Sequence, residues 1–171
     1  MKKVLIVMGS DSDFPVMESC VKKLADFGIL CDVRICSAHR TPDLAAKIAG
    51  GAADSGYGVI IAAAGLAAHL PGVVAAHTIL PVIGVPIKSG ALAGQDALYA
   101  IVQMPTGIPV ATVAIDGAAN AAILAAQMLA IADSDLAEKM IEHKTSMREA
   151  VGARQARLDQ KLADMKAGSS S

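Results

Sequence analysis

The chain has 171 residues, of which 54% are hydrophobic but only 2% aromatic, and its formal net charge at pH 7 is −1. This length fits one domain with a core of its own, and that core must be built from small and aliphatic side chains. A net charge this close to zero, without basic stretches interleaved with aromatic residues, argues against nucleic acid and anionic lipid as partners.

The cysteines and histidines bear on the cellular compartment and on the presence of disulfides or metal sites. The three cysteines have neither CxxC spacing nor an even count, which predicts a reduced, cytoplasmic protein without disulfides. No two histidines have the i, i+4 spacing of a metal motif, and we expect no metal site. Residues 58–87 carry no Asp, Glu, Lys or Arg, but glycines and prolines divide this stretch, so we expect no membrane span.

Apolar runs of strand length alternate with segments of helical length. We expect strands over residues 4–8, 31–36, 59–63, 81–85 and 109–115. Helices are expected over residues 14–27, 42–55, 67–77 and 118–132, with a loop and a short helix after the fourth strand. Continuous apolar strands between helices predict a parallel sheet covered on both faces. The expected fold is therefore α/β, a three-layer flavodoxin-like sheet, over residues 1–132.

The composition changes to a charged segment that predicts a long C-terminal helix over residues 133–167. Apolar side chains recur along it at helical spacing: Leu136, Met140, Met147, Val151, Leu158 and Leu162. Such a helix overhangs a small sheet, so we favour docking of this stripe on a neighbouring subunit over packing on its own domain. Residues 168–171 are expected to form a disordered tail.

The loops that follow the strands are the first place to look for a site, because ligands of parallel α/β sheets bind at the carboxyl ends of the strands. The first loop contains Gly9, Ser10 and Asp13. Gly9 permits close backbone approach, Ser10 offers a hydroxyl, and the helix N-terminus beyond them favours an anion. This loop suits a phosphate or a ribose, although for the loop on its own capping of the helix by Ser12 or Asp13 is the more ordinary role.

The second loop, residues 37–42, has the sequence Ser-Ala-His-Arg-Thr-Pro. Ser37 and Arg40 can donate hydrogen bonds to a phosphate, while Thr41 is expected to be the N-cap of the next helix. The helix start does not require a histidine at position 39, and imidazole is the side chain that can exchange a proton near neutrality. A proton carrier and an anion-binding group therefore stand side by side.

The third loop is apolar and rich in small residues, among them Ala64, Gly65 and Leu70. It predicts a pocket wall with little competing water. His69 either contacts the ligand or bonds the backbone at a helix end. Residues 88–94 have the glycine content of a mobile cover and residues 103–109 predict a stiff turn, although both are also compatible with plain connectors.

Four segments, residues 8–13, 37–42, 67–72 and 103–109, together resemble the N5-carboxyaminoimidazole ribonucleotide mutase family of purine biosynthesis. The similarity runs in order from Val4 to about Leu129. The resemblance implies a cytoplasmic homo-octamer that acts on a ribonucleotide without metal or cofactor. It moves a carboxyl group from the exocyclic nitrogen of an aminoimidazole to ring C4, by loss and recapture of carbon dioxide.

The resemblance also implies a role for each site residue. His39 matches the general acid and base, which protonates the departing nitrogen and later removes the C4 proton. The substrate contacts that the resemblance implies are phosphate ligands (Ser10, Ser37, Arg40), a ribose ligand (Asp13) and residues around the base and carbon dioxide (Ala64, Gly65, Leu70). Gly9 and His69 are added to the expected substrate contacts from their places in the first and third loops.

Two alternatives remain open. Related carboxylases that take free carbon dioxide usually carry lysine at the position of Arg40 and lack this form of residues 67–72, which favours the mutase. A non-catalytic nucleotide- or flavin-binding module is suggested by the first loop, but aromatic residues that would stack on a flavin are scarce. The chain departs from the family pattern at Leu66, where a glycine is common, and in its longer C-terminal helix.

Overall fold

The computed structural model describes residues 2–168 as a parallel sheet between two layers of helices. The strands are β1 (Lys3–Met8), β2 (Cys31–Ile35), β3 (Tyr57–Gly65), β4 (Val82–Ile87) and β5 (Ala111–Thr112). The helices are α1 (Phe14–Asp26), α2 (Pro42–Gly50), α3 (Leu70–Ala76), α4 (Gln95–Val102), α5 (Ala118–Ala130) and α6 (Ser134–Gly168). The strand order β2-β1-β3-β4-β5, parallel throughout, confirms the predicted flavodoxin-like fold.

Both faces of the sheet are buried, because successive side chains of a strand point to opposite faces. On β1, Val4 and Ile6 belong to a core shared with α1, α5 and the start of α6, whereas Leu5 and Val7 belong to one shared with α2, α3 and α4. The side of α5 that faces the sheet consists of alanines: Ala118, Ala121, Ala122, Ala125 and Ala126. These small side chains let the helix lie close to the strands, as the aromatic-poor composition requires.

Three predicted elements, α2, α3 and β5, have an end that was wrong by three residues or more. Helix α2 ends at Gly50 instead of residue 55, because the following chain folds into turns in which the Ser55 N–H donates to the Gly51 carbonyl. Helix α3 begins at Leu70, three residues later than expected. Strand β5 has only two residues, Ala111–Thr112, and pairs with β4 at one edge of the sheet.

Helix α6 begins on its own domain and then leaves it. Leu136 is fully buried and Met140 nearly so, against α1 and α5. The distal apolar residues are between 42% and 68% exposed: Met147, Val151, Leu158, Leu162 and Met165. Packing on its own domain therefore buries only the first residues of the apolar stripe of α6. Of the tail predicted over residues 168–171, Gly168 is the last helical residue, and the others lie outside the described residues.

No helix in the described part of the chain combines the length and the apolar character needed to cross a membrane.

Candidate functional site

The carboxyl ends of β1, β2 and β3 surround a cavity of about 420 Å³. It lies where the strand order reverses between β1 and β3, the place at which sheets of this kind bind ligands. Its lining comprises Gly9, Ser10, Ser12, Asp13, Ser37, Ala38, His39, Arg40, Ala64, Gly65, Leu66, Ala67, Leu70 and Ser89. Every predicted site residue except His69 is thus brought to one cavity.

The first loop is held by a capping box. The Ser10 Oγ accepts the N–H of Ser12 at 3.2 Å, and the Asp13 carboxylate accepts the N–H of Ser10 at 3.3 Å. Ser10 is the cap of a short 3-10 turn over Asp11–Asp13 that precedes α1, so the capping hydrogen bonds lie one turn earlier than expected. Asp13 occupies the N-cap position of α1 without a side-chain capping bond.

Asp13 is the carboxylate of this loop that lines the cavity. Burial raises the pKa of Asp13, and the hydrogen bonds from the N–H groups of Ser10 and Gly9 only partly offset this effect. A half-buried carboxylate with a raised pKa gains from any ligand that donates a hydrogen bond to it. Sugar hydroxyls are such donors, whereas a phosphate would be repelled.

The second loop folds back on itself and projects its charged side chains outwards. The Thr41 Oγ1 accepts the N–H of Ser37 at 2.9 Å, and the Ser37 Oγ accepts the N–H groups of His39 and Arg40 at 3.3 and 3.2 Å. Thr41 does stand at the N-cap of α2, but its hydroxyl closes this loop and makes no bond to the helix. His39 and Arg40 are exposed at the cavity.

His39 and His69 form a pair across the mouth of the site. The His39 Nε2 lies 2.8 Å from the His69 Nδ1, with the ring centroids 4.9 Å apart and the rings nearly perpendicular. One proton lies between these nitrogens, so one ring donates while the other accepts. His69 precedes α3 without capping it by its side chain, and it lies outside the cavity lining. Its hydrogen bond orients the His39 ring.

The third loop forms an apolar compartment of the cavity, which we define as Ala64, Gly65 and Leu70. Ala64 and Leu70 are buried. Next to them Leu66 has a φ of +54°, a left-handed conformation in which glycine is favoured. The departure from the family pattern at this position is therefore a strained residue at the edge of the site.

Sequence reasoning missed five residues of the lining: Ser12, Ala38, Leu66, Ala67 and Ser89. Four of them are neighbours of predicted residues. Ser89 comes from the loop after β4, where only the glycine content of residues 88–94 hinted at a cover. The predicted turn over residues 103–109 contributes nothing to the lining.

Within residues 2–168, no group of three or more His, Cys, Asp or Glu side chains is arranged to hold a metal ion.

Several proteins of known name are similar to this chain in sequence. A family model described as AIR carboxylase matches residues 3–150. A Pyrococcus horikoshii protein named N5-carboxyaminoimidazole ribonucleotide mutase is 53% identical over 155 residues, 91% of this chain and 88% of its own. A chloroplastic phosphoribosylaminoimidazole carboxylase of Vigna aconitifolia is 52% identical over 145 residues, which are 85% of this chain but only 26% of that longer protein.

Solved structures agree with the sequence relatives. The crystal structure of Treponema denticola PurE superposes with a TM-score of 0.83 at 31% identity, over 91% of this chain and 97% of that one. The matching family model spans most of the chain, and the relatives share more than half of its aligned residues. This chain belongs to the AIR carboxylase family.

Proposed function

We propose that this chain is an N5-carboxyaminoimidazole ribonucleotide mutase of purine biosynthesis. The observation that carries the proposal is the convergence of three chemically different groups of residues on one cavity. Hydroxyls and a guanidinium suit a phosphate, the paired His39 suits proton transfer, and the apolar compartment suits carbon dioxide. The relatives named as mutases support this choice of reaction.

The nucleotide is bound by the first two loops. Arg40 and the hydroxyls of Ser10 and Ser37 donate to the phosphate, and Gly9 lets its backbone approach closely. The Ser37 Oγ only accepts hydrogen bonds within the protein, so its own proton is available to the ligand. The Ser10 hydroxyl instead donates to the Asp11 Oδ1 at 3.1 Å, and a phosphate must displace that bond. Asp13 accepts from the ribose hydroxyls.

His39 moves the proton. When the carbamate loses carbon dioxide, the electron pair of the broken C–N bond returns to the exocyclic nitrogen, which takes a proton from His39. Ring C4 then attacks carbon dioxide, and the C4 proton passes back to His39. The His39 imidazole thus gives up one proton and regains one. His69 orients the His39 ring and shares its proton through their hydrogen bond.

The apolar compartment retains carbon dioxide between the two steps. Small, buried walls leave little room for water beside the ring, so recapture at C4 competes with escape. The planar aminoimidazole lies against Gly65, where no side chain stands in its way.

We propose that the chain works as a cytoplasmic homo-octamer, as its family resemblance implies. In this arrangement residues 1–132 form the catalytic domain. The distal part of α6 packs on a neighbouring subunit, because its apolar stripe is exposed in the single chain.

The carboxylase that uses free carbon dioxide is the second candidate, favoured by the name of the Vigna aconitifolia relative. Arg40 argues for the mutase. A flavin-binding module is less favoured, since the cavity lining includes neither Phe nor Tyr.

Turnover of the carbamate tests the proposal. Purified protein should convert N5-carboxyaminoimidazole ribonucleotide to its C4-carboxylated isomer without ATP or added bicarbonate. His39→Asn should retain nucleotide affinity and lose roughly 10²- to 10⁴-fold in kcat, the usual contribution of a positioned acid and base. His77→Asn is the matched control, because His77 is exposed at the end of α3 and lies outside the cavity lining.

Each alternative has its own outcome. Dependence on bicarbonate with no turnover of the carbamate identifies the carboxylase. Nucleotide binding without turnover of either substrate identifies a binding module, and a yellow colour on purification identifies flavin.

A further inference from the structure

Ser89 places a buried hydroxyl beside the apolar compartment. It follows β4 and lines the cavity. Its Oγ is buried and has no hydrogen-bond partner among residues 2–168. The Oγ lies so close to Gly65 that a Cβ built on this glycine would stand 2.5 Å from it. The hydroxyl is therefore packed against the strand end where the proposed base and carbon dioxide lie.

The loop that carries Ser89 is held in place from two sides. The N–H of Lys88 donates to the Asp116 Oδ1 at 2.8 Å. On the other side the Leu66 side chain reaches Gly90, where an added Cβ would stand 2.6 Å from the Leu66 Cδ2. Leu66 adopts its left-handed backbone conformation while making this contact. The position of Ser89 is thus fixed by tertiary contacts.

The unpaired Ser89 hydroxyl can be satisfied by an oxygen or a nitrogen atom of a ligand. Buried polar groups nearly always have a hydrogen-bond partner, so an unpaired one needs an explanation. The neighbouring residues Ala64, Gly65 and Leu70 offer no polar side chain. The Ser10 and Ser37 hydroxyls hydrogen-bond within their own loops, the two loops assigned to the phosphate. Ser89 is the hydroxyl beside the apolar compartment, so it is the one available to a group that enters there.

We propose that the Ser89 hydroxyl binds an oxygen of the migrating carboxyl group, an inference that rests on the proposed mutase function. The hydroxyl donates to a carbamate oxygen in the substrate, to the same oxygen of carbon dioxide after the C–N bond breaks, and to the C4 carboxylate in the product. Ser89 forms no covalent bond, and the proton transfers remain those of His39. Its effect is to hold the carboxyl group over C4.

The affinities for a carboxylated and an uncarboxylated nucleotide test the contact between Ser89 and the carboxyl group. Wild type and Ser89→Ala are titrated calorimetrically with the C4-carboxylated product and with 5-aminoimidazole ribonucleotide, which lacks the carboxyl group. Ser89→Ala should bind the carboxylated nucleotide roughly 10- to 100-fold more weakly, the effect expected for a lost hydrogen bond to a charged group. Affinity for the uncarboxylated nucleotide should stay within about twofold of wild type.

Turnover gives an independent readout. Ser89→Ala should release more 5-aminoimidazole ribonucleotide and carbon dioxide per product formed, because the freed carbon dioxide is no longer held. Ser89→Cys keeps the size with a weaker donor and should lie between wild type and Ser89→Ala. Ser19→Ala is the matched control, since Ser19 is exposed on α1 and its hydroxyl bonds only the Val16 carbonyl.

Failure of this inference differs from failure of the mutase assignment. If wild type converts the carbamate but Ser89→Ala weakens both nucleotides equally, or neither, the Ser89 contact is wrong and the mutase stands. If wild type neither binds these nucleotides nor converts the carbamate, both are wrong. A thermal melt of each variant, unchanged within about 2 °C, excludes a folding defect.

Discussion

At the scale of single residues, some side chains of the site also stabilise the fold of their own loops. Asp13 closes the capping box of the first loop and also lines the cavity. The Ser37 hydroxyl fixes the backbone of its loop while keeping its proton for a ligand. Such double use explains why a capping motif and a ligand-binding loop look alike in the sequence.

Asp13 carries a stability cost that its function explains. Its folded pKa is raised, chiefly by burial, so the folded chain binds more protons than the unfolded chain between the two pKa values. Stability from this group therefore falls as pH rises through that window, and the whole cost is present at neutral pH. Asp13→Asn keeps an oxygen for the Ser10 N–H and removes the charge.

We expect Asp13→Asn to melt slightly above wild type at pH 7, by at most about 2 °C for a half-exposed group, with the difference shrinking in acid. Its affinity for the nucleotide should fall about 10-fold or more, through loss of a charge-assisted hydrogen bond. Calorimetric melts at several pH values and ligand titrations measure the two effects. Asp54→Asn, which is exposed in the turns after α2 and lies outside the cavity lining, serves as control for affinity. A lower Tm at neutral pH would contradict this account.

At the scale of elements, the order of strands and helices could be predicted because apolar runs and helical periodicity are local signals. The residues at which these strands and helices end could not be predicted. Helix α2 stops at Gly50 because local turns compete with continuation of the helix. The first loop was only partly predictable, since Asp13 does stand at the N-cap of α1 but the capping hydrogen bonds form around Ser10, one turn earlier.

A cluster at the amino ends of β1, β2 and β3 joins the strands at the edge opposite the cavity. The Tyr57 hydroxyl donates to the Asp32 Oδ2 at 2.6 Å, and the Lys3 Nζ bonds the same oxygen at 2.9 Å. The Tyr57 hydrogen bond, then Lys3, hold the pKa of Asp32 below its ordinary value. This stabilisation is present above the ordinary carboxyl pKa and is lost as pH falls through the lowered one.

Tyr57→Phe removes the larger of these contributions. We expect a lower Tm than wild type at pH 7, and convergence of the two melting curves in strong acid, where Asp32 is protonated in both proteins. Tyr99→Phe is a matched control, since Tyr99 is exposed on α4. Thermal melts across the acid range measure the effect, and a difference in Tm that is independent of pH would show that Asp32 is not the partner that matters.

At the scale of the whole molecule, the location of the site could be predicted because the carboxyl ends of parallel strands meet at one edge. This rule brought nine expected residues to one cavity. It pointed to the loop after β4 as a cover but did not single out Ser89, which lies 24 positions beyond Gly65. Nor could it show that His69 contacts His39 rather than lining the cavity, because that pairing depends on how two loops face each other.

Assembly is the other property of the whole molecule, and α6 bears on it. The stripe that buries Leu136 and Met140 continues on the same side of the helix into Val151 and Leu158, where the single chain offers nothing to cover it. These distal residues also lie beyond the stretch that the family model matches, residues 3–150. Exposed apolar faces of this length are typical of subunit contacts.

We expect the double variant Val151→Glu/Leu158→Glu to form a smaller assembly than wild type, because two carboxylates would have to be buried in the proposed contact. Light scattering after size-exclusion chromatography measures the mass. Ala153→Glu/Ala156→Glu adds the same charge to the opposite side of α6 and should assemble as wild type does. If both double variants keep the wild-type mass, the stripe is no subunit contact; if both lose it, the charge of the helix and not its apolar face controls assembly.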